Sequence, residues 1–313
     1  MKLDACHFII TGVSGWLGHV TLETLASICA PEDDTRIIAI GRHERLLKLA
    51  GGRKIAVHPW DFLTQATFNS PVVVFHHAFV TKGRVADQTE QAYRCSNRDI
   101  QQAMVKFLCH SNVAGLMVPS SGAVYAYLNK TVAADNPLSI YGQCKHEDEN
   151  VFAELADRRS FRLAMPRIFN LSGAYINNHQ GYAISSMILN CLDHQTVQVH
   201  ADHPVWRSYY PARALLELVM KMMCEPPSGP PVIFDTAGTE VVEVGELAQR
   251  CVRLLADGSA RVERPFIKPG PSDYYVGNPA VIRDIEHRLG LQSASLDEQI
   301  LETARFLRFH RSC

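Results

Sequence analysis

Short apolar runs bounded by turn residues alternate with longer stretches of helical period through the first half of the chain. The runs Cys6 to Ile10, Arg36 to Ile40, Ile55 to His58, Val72 to Phe75, Leu116 to Pro119 and Arg162 to Met165 read as strands. Helical stretches lie near 15–29, 86–111 and 139–157, the last following Asp135-Asn136-Pro137 with Ser139 as its N-cap. A strand covered on both faces has no polar side to show, so continuous apolar runs separated by helices predict a parallel sheet between helical layers. The fold class is therefore α/β, with a doubly wound parallel sheet.

Past residue 170 this rhythm breaks. A polar loop, Asn177-Asn178-His179-Gln180, precedes a helix near 181–193, a strand near 197–200 and Pro/Gly punctuation at 226–231. The pattern predicts a first domain over 1–172 and a smaller C-terminal α/β region over 173–313 that holds substrate, with some of its segments returning to the main sheet.

Composition narrows the class. The chain has 313 residues, 47% apolar and 20% charged, which excludes a small disulfide scaffold and a disordered chain. Its 31 basic and 32 acidic residues give a net charge of −1, so nucleic acid is not an expected partner and any anionic ligand has to be held locally. Nine cysteines are scattered, odd in number and never at zinc-ligand spacing, so no metal site is predicted and buried thiols in a reducing compartment are. No run is long enough to cross a bilayer and no signal-peptide pattern opens the chain, so a cytoplasmic protein without membrane partners is expected.

Chemistry begins at Thr11-Gly12-Val13-Ser14-Gly15-Trp16-Leu17-Gly18, between the first strand and the first helix. Gly12 permits the tight turn, Gly15 lets backbone approach a diphosphate at the positive helix end, and Gly18 allows close helix–strand packing. With Ser14, Trp16 and Leu17 these residues form a candidate dinucleotide cradle of the Rossmann type. A carboxylate at the end of the second strand would favour NAD; Gly41-Arg42-His43 stands there instead, and Arg42 favours the extra phosphate of NADP. Asp61 is a candidate acceptor for the adenine amino group or a turn residue, and His77 and Ala78 end the fourth strand beside the expected cofactor path.

Tyr141 and Lys145 are four residues apart on a predicted helix and share one face. A nearby ammonium favours the phenolate and brings a tyrosine toward the working range of a general acid/base, and lysine donors can also hold a ribose. Ser121 ends the fifth strand, at the carboxyl edge where open α/β sheets bind ligands, and can bond the substrate oxygen that Tyr141 protonates.

Taken together, these motifs resemble the extended short-chain dehydrogenase/reductase family, the NAD(P)-dependent nucleotide-sugar epimerases, dehydratases and reductases, over nearly the whole chain. Gly12, Gly15 and Gly18 look like its G-x-x-G-x-x-G turn, and Ser120 to Tyr125 looks like its S-S-x-x-V-Y segment. Pro137 to Lys145, with Glu149 beyond, is similar to P-x-x-x-Y-x-x-S-K-x-x-x-E with Cys144 in place of serine. The resemblance implies that Ser121, Tyr141 and Lys145 are catalytic with Asn97 in support, and that Arg167 lies on the cofactor side. It further implies that Asn170, Arg207 and, from Lys268-Pro269-Gly270, Lys268 bind the diphosphate of a nucleotide sugar. A homodimer through the helices carrying Asn97 and Tyr141 is implied too; Ala92, Ile100, Met104, Phe107 and Leu108 would serve it, although a stripe facing the core would look the same.

Departures from the family pattern sharpen the reaction. Family 4,6-dehydratases carry an acidic pair directly after the strand-end hydroxyl residue, where this chain has Gly122 and Ala123, neither able to move a proton. Ser208, Pro211 and Arg213 also replace usual residues of the substrate region, leaving the sugar and nucleotide open. Two reactions remain: NADPH-dependent reduction of a 4-keto sugar, favoured by Arg42, and 4-epimerisation with tightly held NAD(H). A dinucleotide-binding sensor or scaffold without turnover is the alternative of another class, against which the intact Ser121, Tyr141 and Lys145 argue.

Overall fold

The computed structural model describes residues 5–225, 229–256, 258 and 260–310. Cys313 and residues 226–228 of the Pro/Gly-rich stretch lie outside the described residues. The chain divides into two compact units, one of Met1–Arg167 with Leu216–Phe234, the other of Ile168–Leu215 with Asp235–Cys313.

In the first unit, strands β1 (His7–Thr11), β2 (Ile37–Ile40), β3 (Arg45–Lys48), β4 (Lys54–His58), β5 (Val72–His76), β6 (Val113–Met117), β7 (Ser120–Ser121) and β8 (Arg162–Ile168) belong to one sheet together with Val232–Asp235. Its order is Val232–Asp235, β8, β6, β5, β1, β2, β4, β3, with the short β7 beside β8. The pairings β8–β6, β6–β5, β5–β1, β1–β2 and β2–β4 are all parallel. The chain starts at the centre, in β1, and winds outward in both directions, so the carboxyl ends of β1 and β5 flank the point where winding reverses. Isoleucine and valine dominate these strands because the sheet is covered on both faces: β2 and β5 are buried at every position.

Two features escaped the apolar pattern. β3 pairs antiparallel with β4 at the sheet edge, and its four residues are exposed or half-buried, so it carries no hydrophobic signal. The helix expected to start at Ser139 instead starts earlier. Asn136 is the N-cap, accepting from Leu138 N–H at 2.9 Å, with Pro137 following where its missing N–H costs nothing. Ser139 lies buried within the first turn.

Helices α1 (Trp16–Ile28), α2 (Phe62–Gln65), α3 (Glu90–His110), α4 (Ala123–Leu128) and α5 (Pro137–Arg159) connect these strands. Met104, Phe107 and Leu108 of α3 enter the core formed with Ile9, Val74, Leu116 and Phe152, so the apolar stripe on α3 faces inward; Ala92 is exposed. Met104, Phe107 and Leu108 are therefore not available to an intersubunit surface, while Ile100 is half-buried. The second unit packs helices Ala183–Leu192, Val244–Leu255 and Leu296–Phe309 together. Three short strands, Val242–Glu243, Val205–Arg207 and Asp273–Tyr275, form a small sheet within it.

α5 crosses α4 closely at Gly142. A β-carbon there would overlap the Ala123 carbonyl oxygen and stand 2.8 Å from its carbon. Since Ala123 immediately follows the Ser120-Ser121-Gly122 segment, this approach fixes α5 against that stretch. Replacing Gly142 by Ala is expected to cost about 1–3 kcal/mol, the usual range for overpacking, with a lower urea midpoint as the measurement.

Candidate functional site

Gly12 takes a left-handed φ of 69°, and a β-carbon on it would stand 2.6 Å from Ala78 N and 2.7 Å from His77 C. Both the turn and the close passage of the β5 end therefore require glycine. Gly15 N–H closes the turn on Gly12 C=O at 2.9 Å, and Gly18 of α1 packs against the same residue. Gly15 is the N-cap of α1 and has no side chain to offer the first-turn N–H groups, which suits an anionic oxygen. Trp16 is buried and Leu17 C=O accepts from the Thr21 hydroxyl at 2.7 Å.

Thr11 ties the two central strand ends together: its hydroxyl accepts from Ala78 N–H at 3.1 Å and pairs with His76 Nδ1 at 2.9 Å. His77 Nε2 pairs with Thr21 of α1 at 2.8 Å. Burial, followed by the charge of Lys145, drives both histidines down to about 3, so both rings are neutral at physiological pH. Asp61 is exposed, and its backbone opens the short α2 while its side chain makes no cap, as a turn residue would.

Arg45 reaches the glycine turn without any local mark in the sequence. From β3 its guanidinium donates to Ser14 Oγ in the glycine turn at 2.7 Å, while Arg42 stands exposed at the end of β2. Only the antiparallel return of β3 brings residue 45 to residue 14, so no local pattern could have revealed it.

Lys145 is buried, and its Nζ donates to Pro119 C=O at 2.8 Å while standing 3.6 Å over the centre of the Phe79 ring. Burial lowers its pKa to about 8, against the opposing pull of Asp148, Cys144 and Glu149. Tyr141, half-buried one turn earlier on α5, meets Phe79 edge to face with ring centroids 5.7 Å apart. Ser121 Oγ accepts from Ala123 N–H at 3.2 Å, leaving its proton available for donation. Asn97 orders the loop after β5: its Oδ1 accepts from Val80 N–H at 2.8 Å and its Nδ2 donates to Val80 and Tyr93 carbonyls, each at 3.3 Å.

Beneath these groups, Glu149 takes both arms of Arg167, at 2.8 and 2.6 Å, and the Ser120 hydroxyl at 2.5 Å. Burial pushes the Glu149 carboxyl up, but the Arg167 and Ser120 hydrogen bonds together outweigh it and hold the group below the usual carboxylate range. Arg167, placed on the cofactor side by resemblance, is committed to this ion pair and lies 4.8 Å over the Tyr125 ring.

The three residues expected at a diphosphate are found in the second unit, each already engaged. Asn170 Nδ2 donates to the Ser208 and Tyr275 carbonyls, each at 3.3 Å. Arg207 pairs with Asp273 at 2.7 Å, and exposed Lys268 pairs with Asp202 at 2.6 Å. Among the described residues no cluster of three or more histidine, cysteine or acidic side chains is placed to hold a metal ion, and no helix is long and apolar enough to cross a membrane.

Strand order, the glycine turn and the hydroxyl, phenol and ammonium groups on β7 and α5 define a Rossmann-type α/β protein. Residues 8–237 match the sequence model of the NAD dependent epimerase/dehydratase family, and the chain belongs to that family. No curated protein matches it in sequence. Its fold is similar to that of UDP-N-acetylglucosamine 4-epimerase from Methanobrevibacter ruminantium M1, solved with UDP-N-acetylmuramic acid, with a TM-score of 0.75, 16% identity and 99% of each chain covered. UDP-glucose 4-epimerase from Thermus thermophilus, solved with NAD, gives a TM-score of 0.69 at 16% identity, covering 97% of this chain and 99% of its own. TunA, an NAD-dependent NDP-hexosamine 5,6-dehydratase involved in tunicamycin biosynthesis, gives 0.69 at 18% identity over 96% and 97%.

The Glu149–Arg167 pair yields a stability prediction. Removing the carboxylate in Glu149→Ala strands a mostly buried guanidinium and is expected to cost about 3 kcal/mol in denaturant unfolding. Because the folded-state pKa of Glu149 lies below its unfolded value, its contribution is complete above the unfolded pKa and is lost as pH falls through the folded one. The acid limb of the stability curve should therefore be shallower in Glu149→Ala than in wild type.

Proposed function

We propose that this protein is a nicotinamide-dinucleotide-dependent oxidoreductase of nucleotide-diphosphate sugars, working as an NADPH-dependent 4-keto-sugar reductase. The observation that carries the reading is a buried lysine ammonium on the same helix face as Tyr141. A bound nicotinamide dinucleotide supplies the hydride. The glycine turn from Gly12 to Gly18 would hold its diphosphate, with Ser14, Trp16, Leu17, His77 and Ala78 lining the approach.

The chain's own residues manage the proton. Tyr141 Oη delivers it to the substrate oxygen as hydride reaches the carbon, and the Lys145 charge stabilises the phenolate left behind. Ser121 donates its hydroxyl proton to the same oxygen and orients it. Asn97 keeps the loop bearing Val80 in place. Gly122 and Ala123 offer no acid or base after Ser121, which supports a reaction other than 4,6-elimination.

Arg42 and Arg45 support NADP(H): two guanidiniums flank the end of β2 and the glycine turn, and residues 41–43 include no carboxylate. The second reading, a 4-epimerase that retains NAD(H), is supported by the 4-epimerases among the similar structures. For the substrate diphosphate, Arg207, Lys268 and Asn170 remain the proposed contacts. Both cations would exchange a carboxylate partner for phosphate, so their net gain is the difference between two ion pairs.

NADPH is expected to bind at least tenfold more tightly than NADH. Arg42→Ala and Arg45→Ala should each weaken NADPH binding by about tenfold, the cost of one lost charged hydrogen bond, without changing NADH binding. Fluorescence titration measures both, and NAD(H) released by denaturing the purified protein would overturn the NADPH preference. In a panel of nucleotide-diphosphate 4-keto sugars, Tyr141→Phe should lower NADPH consumption by about a hundredfold or more while leaving NADPH affinity within about twofold.

A further inference from the structure

Phe79 stands at the site although proton and hydride chemistry ask nothing of a phenyl ring. It lies two residues past His77 in the loop after β5 and is half-buried. Its ring face meets the Lys145 ammonium at 3.6 Å, and the ring of Tyr141 meets it at an interplanar angle of 78°. Pro119 C=O takes a hydrogen bond from the same Nζ at 2.8 Å. The ammonium therefore has two fixed neighbours, a carbonyl dipole and an aromatic face, both favouring positive charge. Beyond the ring lies a small apolar cluster that includes Tyr93, Ile140 and Cys144.

Lysine has a flexible four-carbon stem, and one hydrogen bond alone leaves its head free to swing about that bond. The negative face of an aromatic ring adds an attraction that strengthens when water is removed, while an aliphatic side chain of similar bulk adds only contact. Edge-to-face contact with Tyr141 gives the phenol a preferred orientation against the same ring. We propose that Phe79 is a positioning residue that holds Lys145 and Tyr141 in working register, and that it does so through the charge distribution of its ring rather than through its bulk. This rests on the reading of Tyr141 and Lys145 as the proton-handling pair.

The charged and titratable groups around Lys145 are accounted for on each side. From α5 come Tyr141, Cys144, Glu147, Asp148 and Glu149; from the end of β5 come His76 and His77; from α3 come Tyr93, which acts on Tyr141, Cys144 and Asp148, and Arg94, whose guanidinium lies 3.9 Å from Cys144 Sγ. Burial pushes the Cys144 thiol up to about 11 and both histidines down to about 3, so these three stay neutral while Lys145 titrates. Asp148, raised by burial, and Glu149, lowered by its partners, are carboxyl groups that Phe79 substitutions leave in place. Leucine or a fluorinated phenylalanine at position 79 therefore alters the ammonium's surroundings without altering the set of ionisable groups around it, whereas tyrosine adds one phenol.

The test follows the Lys145 Cε resonance in carbon-13-lysine-labelled protein across pH, assigned with Lys145→Arg. In Phe79→Leu the titration midpoint should fall by about half to one pH unit, the size of one cation–ring contact, and Phe79→Tyr should restore it. Phenylalanine analogues carrying one, two and three ring fluorines at position 79 keep the shape and drain the ring face, so the midpoint should fall stepwise with each fluorine. This series stays informative if the leucine variant does not fold. The Tyr141 phenolate absorbance, taken as the difference from Tyr141→Phe, should shift to higher pH in parallel. A midpoint that ignores fluorination, or that moves equally in Phe79→Leu and Phe79→Tyr, overturns the proposal. Neither readout uses a sugar or a cofactor, so failure of the proposed reaction in turnover assays is a separate result.

Discussion

Burial of the Lys145 ammonium is the constraint around which the candidate site of this molecule is arranged. An ammonium taken from water is costly unless it finds acceptors, and those available come from three different segments. The Pro119 carbonyl follows β6, the Phe79 ring follows β5, and the carboxylates lie farther along α5 itself. The residual cost appears as a pKa lowered to about 8, which leaves the group mostly cationic at neutral pH yet close to titration. It also helps to keep His76 and His77 neutral, so their rings serve as hydrogen-bond partners for Thr11 and Thr21.

Holding α5 in place is the complementary requirement. Gly142 brings the helix against Ala123, Asn136 caps its start, and Glu149 locks it to Arg167 at the end of β8 and to Ser120. Tyr141 and Lys145 lie between these anchors, so the helix rotation that aims them is fixed on both sides. Glu149 therefore acts on the site through geometry: it bonds the residue before Ser121 and the strand that follows α5.

The glycine turn and the Tyr141/Lys145 spacing were legible because each is local. A left-handed turn before a helix and a repeat of four on one helix face leave marks within a few residues. Most central strands were legible for a similar reason, since burial on both faces demands apolar side chains throughout. Less visible were β3, whose edge position needs no apolar residue, and the boundary of α5, where two residues with capping ability stand three apart.

By itself the sequence determined the α/β class, the order of the central elements, the glycine turn and the candidate hydroxyl, phenol and ammonium groups. Tertiary structure alone decided the partners of those groups. It brought Arg45 to Ser14, Phe79 and Pro119 to Lys145, and Arg167 to Glu149, across separations of 31, 66, 26 and 18 residues. It also turned the α3 stripe inward. Periodicity records which face of an element avoids water; which neighbour covers that face, and which charge meets which acceptor, is settled only when distant segments pack and desolvate one another.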